Sequence, residues 1–255
     1  KERQQTDTKP RSEKAKSLVE SQGRRTVASC KAGMSNEVFQ YSVYAASIAA
    51  YLGTMYGVAK LKDHYERKNK IKELEELNND KEIKSFKDAP RLSKKMSPSE
   101  SMKVTNPDFP DQGTTMNCTF CTTAMALREK GYNVKAAKSD DGWYTDDLFK
   151  ATFNSPEIKM KKQKTGKDVL DTLASNGKDS YGNLTVSWNL GGSHSLFWKN
   201  ENGKVHIYDG QEGKELTDSE SFMSSVNLKD VKYNRLDNVE PTDYALAIVE
   251  SNKQK

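Results

Sequence analysis

Hydrophobic and polar positions follow two different periods in the second half of this chain, and the switches between them mark helices and strands. Cys118 to Lys130 reads as a helix closed by Gly131, the residue type that a helix C-terminus most often needs. Asp146 to Phe153 and Lys167 to Ser175 predict two further short helices. Asn183 to Asn189 places Leu184, Val186 and Trp188 at alternate positions, the pattern of a half-buried strand. Residues 194–211 read as a hairpin, because Asn202-Gly203 is the residue pair that suits a two-residue type I′ turn. Lys232 to Asp237 predicts another strand, and Tyr244 to Val249 fits helix and strand equally.

The first half is patterned differently. Residues 1–36 are polar and basic with no apolar period, which predicts disorder. Val38 to Ala59 is a run of 22 residues without a charge, long enough to span a bilayer. Its tyrosines (Tyr41, Tyr44, Tyr51, Tyr56) are spread through it rather than gathered at its ends as interfacial anchors are. Small residues recur at Ala45, Ala49, Gly53 and Gly57, a smooth stripe suited to close packing against another helix. The reading favoured here is therefore a packing helix, with membrane association through Val38–Ala59 kept open. Charged, helix-favouring sequence follows, so residues 37–85 predict one long helix. Pro90 and Pro98 among serines predict a linker over 86–105, and Asn106-Pro107 opens a domain at 106–255.

The hairpin's register brings chemistry together. A turn at Asn202-Gly203 pairs Glu201 with Lys204, and by extension Leu196 with Asp209 and His194 with Gln211. His194, Asp209 and Gln211 then share one face, with Asp209 diagonal to His194, while His206 pairs with Lys199 on the other. About seventy-five residues earlier, Asn117-Cys118-Thr119-Phe120-Cys121 puts a thiol at a helix N-terminus, where the dipole and unpaired N–H groups favour a thiolate. Cysteine, then histidine, then a carboxylate or amide is the order of a papain-like cysteine hydrolase. Cys118 is thus the candidate nucleophile, His194 the candidate base, and Asp209 with Gln211 the candidates to orient the imidazole. An oxyanion hole is expected from the Cys118 N–H and a side-chain donor, Asn117 or Gln112.

Composition narrows this further. The 255 residues carry a formal net charge of +5, but residues 1–100 hold a net +7 and the remainder a net −2, so nucleic-acid binding is not expected of the C-terminal domain. Three cysteines do not make a secreted disulfide framework, which points to a reducing compartment. Cys121 reads as a buried small hydrophobe. No second paired Cys or His motif accompanies the CxxC, so no metal or other cofactor is expected.

With these residues in hand, Asn106 to about Val239 resembles the papain-fold toxin family of cysteine peptidase and glutamine deamidase-like domains. The resemblance rests on Asn106-Pro107, Asn117 to Cys121, Leu127 to Val134, Ser193-His194, Tyr208 to Gly213 and Arg235 to Asn238. It implies an α+β papain-like domain, here behind the helical arm read from the residue pattern, acting as a thiol hydrolase on a carboxamide of a protein target. It also implies a mobile-element setting: a bacteriophage- or toxin-system effector in the virion or host cytoplasm, with capsid proteins as partners of the arm. Two positions depart from the family pattern, Ser193 where Gly precedes the His and Gly210 where Pro follows the Asp. They sustain a competing expectation, a catalytically degenerate structural or delivery component of a phage particle.

Overall fold

The computed structural model describes residues 36–81, 83–161 and 163–252, with side chains from Ala49 onward except Tyr51. Of residues 1–36, for which the sequence predicts disorder, 1–35 lie outside the described residues, as does the side chain of Ala45, and Asn36 begins the first helix. The chain divides into two compact units, Lys1–Tyr65 and Glu66–Lys255.

In the first unit the described residues belong to helix α1 (Asn36–Asp80), which continues into the second. Its side chains from Leu52 to Leu61 are exposed, and a Cβ built on Gly53 or Gly57 meets nothing within 4 Å. Among the described side chains, Ala49, Gly53 and Gly57 of the small-residue stripe are exposed. No helix among the described residues is long and apolar enough to cross a membrane.

The second unit follows from the alternations noted above. Strands β3 (Tyr181–Ser187), β4 (Ser193–Glu201), β5 (Lys204–Asp209) and β7 (Lys232–Arg235) form the body of a six-stranded antiparallel sheet. Two-residue strands β2 (Ile158–Lys159) and β6 (Lys214–Glu215) complete it in the order β2-β7-β3-β4-β5-β6. The hairpin has the expected register, with Glu201 opposite Lys204 and Phe197 opposite Tyr208. Asn202 and Gly203 both have positive φ, as a type I′ turn requires. Because β4 is central, both its faces are buried. Leu196 and Trp198 point into one core cluster with Val169 and Leu173 of helix α5 (Gly166–Ala174), and Phe197 into the other.

That other cluster contains helix α3 (Cys118–Glu129). Its C-terminus closes as the sequence predicts: Gly131, at φ +89°, donates to Arg128 O and Tyr132 donates to Leu127 O, a Schellman motif. Two polar contacts pin α3 to β4. Ser195 Oγ lies 2.9 Å from Thr122 Oγ1, and Lys199 Nζ lies 2.9 Å from both carboxylate oxygens of Glu129, where both side chains are buried. These pins set the height of Cys118 along the sheet.

Residues 86–105, expected as a linker, are integrated instead. Pro98–Lys103 form helix α2 because Ser97 and Glu100 make a reciprocal capping box, and Pro98 occupies a first-turn position where its missing N–H costs nothing. Ala89 and Met102 are buried in the core beside α3, as is Leu74 of α1. Tyr244 to Val249 is both of the things it fits: helix α7 (Tyr244–Ala247), then strand β8 (Val249–Ser251), which pairs with β1 (Val134–Ala136). The remaining helices are α4 (Thr145–Phe153) and α6 (Ser219–Ser224).

At one glycine the sheet tolerates no side chain. A Cβ on Gly182 of β3 falls 1.9 Å from Asn234 O of β7. Gly182→Ala must push two central strands apart, at an expected cost of about 3 kcal/mol or more. Urea denaturation measures it, and a loss below about 1 kcal/mol contradicts the close approach.

Candidate active site

Asn117 ends the loop before α3, and Cys118 is the first helical residue. The first intrahelical bond runs from Cys121 N to Asn117 O at 3.0 Å. The amides of Cys118, Thr119 and Phe120 therefore have no carbonyl of their own helix to donate to, and they give this end its partial positive charge. Cys118 is half-buried, and Cys121, one turn on, is fully buried. Both are free thiols. Burial, reinforced by the charges of Cys118 and Asp209, pushes the Cys121 thiol well above its ordinary range, so it stays protonated and donates to Asn117 Oδ1 at 3.5 Å. The two cysteines of one motif thus differ in kind.

His194 stands at the start of β4 and Asp209 at the end of β5, at the open end of the hairpin. Their side chains meet with Nε2 2.9 Å from Asp209 Oδ2, the diagonal contact that the register implies. The Cys118 thiol is the imidazole's second side-chain partner. Burial alone would lower the His194 pKa. The hydrogen bonds and charges of Asp209 and Cys118 outweigh it and raise the pKa to about 10. Asp209 moves the opposite way: burial would raise it, but the bond and charge of His194 and the N–H groups of Glu212 and Gln211 hold it below the usual carboxylate range. Those two N–H groups both donate to Oδ1, at 3.1 and 2.9 Å, leaving Oδ2 for the histidine.

The other expected site residues sit nearby in different roles. Gln211 is buried and donates through Nε2 to Thr114 O at 3.2 Å, so the imidazole's partner is Asp209. Asn117 is fully buried and spends both amide hydrogens, on Asn106 Oδ1 at 3.2 Å and on Ala137 O at 3.0 Å. Gln112 is exposed. Neither Asn117 nor Gln112 lines the cleft around Cys118, whereas the first-turn amides of α3 stand free of intrahelical bonds. His206 pairs with Lys199 and bonds Glu215 at 2.8 Å, outside the site, as the register excludes it. Both departures from the family pattern fit this geometry. Gly210 packs against α3 so closely that a Cβ would lie 2.9 Å from Met125 Sδ, and Ser193 pairs with Ser187 and lines the cleft.

The cleft encloses about 810 Å³. Cys118, His194, Gln211 and Ser195 line it, with Trp143 and Met116, and with Glu66, Lys70 and Glu73 from the last turns of α1. Lys70 lies over the Trp143 ring at 4.8 Å and bridges Glu73 at 3.0 Å and Asp141 at 3.2 Å. The sequence offered no signal for this wall, because a lysine in a charged helix reads as solvated. Among the described residues no cluster of His, Cys, Asp and Glu has the makeup of a metal site.

Residues 116–214 match the family model described as papain fold toxin 1, glutamine deamidase. The matched segment contains Cys118, His194, Asp209 and Gln211 and excludes Asn106 and all of α1. No curated protein and no solved structure matches the chain.

Proposed function

We propose, on the premise that residues 116–214 belong to the papain-fold glutamine deamidase family of cysteine-based hydrolases, that this chain is a toxin deamidating glutamine side chains of a protein target. The observation that carries the reading is the single constellation of Cys118, His194 and Asp209 at a cleft, with the histidine held by a 2.9 Å bond to a buried carboxylate.

The chemistry runs as follows. The Cys118 sulfur attacks the glutamine carboxamide carbon, and the carbonyl oxygen becomes an oxyanion beside the first-turn amides of α3. His194 protonates the departing nitrogen, so ammonia leaves and a thioester remains. Water then attacks the thioester carbon, with His194 taking its proton. The C–S bond breaks, the thiol is restored, and the product is glutamate. Asp209 fixes the imidazole orientation throughout and stabilises its charged form. Peptide cleavage passes through the same thioester and differs only in which amide enters.

The test is to incubate the purified full chain with lysate of candidate host cells and to map mass changes. Deamidation raises a glutamine residue's mass by about one dalton without a chain break and depends on Cys118. New termini in place of mass shifts replace deamidase by peptidase. Neither product replaces the enzyme by the delivery component that Ser193 and Gly210 leave in contention. Delivery by a phage or other mobile-element particle belongs to the same reading. It is supported by the exposed uncharged stretch of α1, a surface suited to docking on capsid or other partner proteins.

A further inference from the structure

We propose that Asn106 is a positioning residue for the catalytic centre, joining the loop that orients Asp209 to the residue that precedes the nucleophile. The inference rests on the reading of Cys118, His194 and Asp209 as catalytic, and concerns a residue ahead of the family-matched segment.

Asn106 is buried, and its side chain reaches two separate pieces of the site. Its Nδ2 donates to Gln211 O at 3.0 Å and to Thr114 O at 3.0 Å, with Asn117 Oδ1 at 3.4 Å sharing these hydrogens. Its Oδ1 accepts from Asn117 Nδ2 at 3.2 Å. Gln211 in turn donates its backbone N–H to Asp209 Oδ1 at 2.9 Å, and its side chain returns to the same Thr114 carbonyl at 3.2 Å. One amide therefore links the 209–212 loop with the 114–117 loop. Those loops end in Asp209's anchoring donors and in Cys118.

Chain connectivity does not do this. Asp209 and Cys118 lie on different elements, and the pins between α3 and β4 hold the helix against His194's strand, so the Asp209 loop is tied to the 114–117 loop by the packing of Gly210 on α3, by the Gln211 side chain and by Asn106. A buried amide that satisfies its donors across such a gap fixes both sides, since breaking any one contact leaves a buried polar group unpaired. Asparagine suits the place because it donates and accepts at once, whereas an aspartate there would face the carbonyls of Gln211 and Thr114 with like charge.

The experiment compares Asn106→Ala in the otherwise unchanged full chain and in an Asp209→Ala background. The imidazole titration of His194 is followed by NMR, which the chain's three histidines make tractable, and ammonia release from a glutamine-containing peptide is followed in parallel. With Asp209 present, Asn106→Ala is expected to lower the His194 midpoint by about one pH unit and to reduce kcat at least about tenfold, with KM little changed. In the Asp209→Ala background the same substitution is expected to change neither by more than about twofold, while still lowering the melting temperature. Equal losses in both backgrounds, or lost stability with an unmoved midpoint, overturn the proposal. Should Asn106→Ala fail to fold, Asn106→Ser, which keeps one donor, carries the same comparison. Absence of ammonia release from the unsubstituted chain counts instead against the catalytic reading of the site.

Discussion

Cys118→Ala is expected to abolish product formation, lowering kcat by roughly six orders of magnitude, the scale on which removal of a covalent nucleophile is felt in hydrolases of this logic. Alanine removes the only half-exposed thiol among the described residues, and Cys121 does not replace it. That sulfur is buried, donates to Asn117 and is kept protonated. Stability should change little, because Cys118 stands at the edge of the core, outside both buried clusters. The paired measurement is therefore thermal melting with mass mapping of treated lysate. A Cys118→Ala chain that melts normally and still produces the mass changes removes Cys118 from the chemistry. Cys121→Ala serves as the control and should retain activity while losing some stability through its core position.

The second large effect is on the pH profile of Asp209→Ala. In the unsubstituted chain, burial pulls the His194 pKa down while Asp209 and Cys118 raise it to about 10, so the imidazolium that protonates the leaving nitrogen persists well above neutrality. The alkaline limb of kcat/KM is expected to lie correspondingly high. Removing Asp209 leaves burial less opposed, and the limb moves down towards the ordinary histidine range near about 6.5. Loss of orientation adds to loss of charge, so kcat should fall by about 10² to 10⁴, comparable to losses of a triad's orienting carboxylate. The stability linkage has a definite sign. A pKa raised on folding contributes stability that is complete below the unfolded value, about 6.5, and is lost as pH rises towards 10. The unsubstituted chain should therefore lose melting temperature across that window, and Asp209→Ala should lose less. An alkaline limb at the same pH in both proteins rules out the carboxylate as the histidine's partner.

How much of this was legible in the sequence depends on how local each cause is. The turn pair Asn202-Gly203 fixed the register, and the register placed His194 diagonal to Asp209 and turned His206 away. Gly131 closed α3 by a purely local rule. What escaped was set by distant partners. Gln211 has the length to reach the imidazole, yet it points to Thr114, because Asp209 already occupies Nε2 and a buried amide must find another carbonyl. Asn117 precedes the nucleophile where an oxyanion donor is expected, but burial commits both its hydrogens to the protein. Strands of two residues, such as β2 and β6, carry too short a pattern to register. The segment 86–105 reads as a linker from its prolines, although Pro98 is compatible with the first turn of a capped helix.

The last turns of α1 bear on where the domain can be cut. Leu74 is fully buried in the core beside α3, and Lys70 joins Trp143 and Asp141 at the mouth of the cleft. Both lie more than forty residues before the family-matched segment. A graft cut at residue 116 would carry the catalytic residues and leave behind a piece of their floor and one wall. A cut that keeps this floor and wall with the catalytic residues lies before Glu66, at the boundary between the two compact units. The unit that has to stay together is longer than the segment that carries the reacting groups.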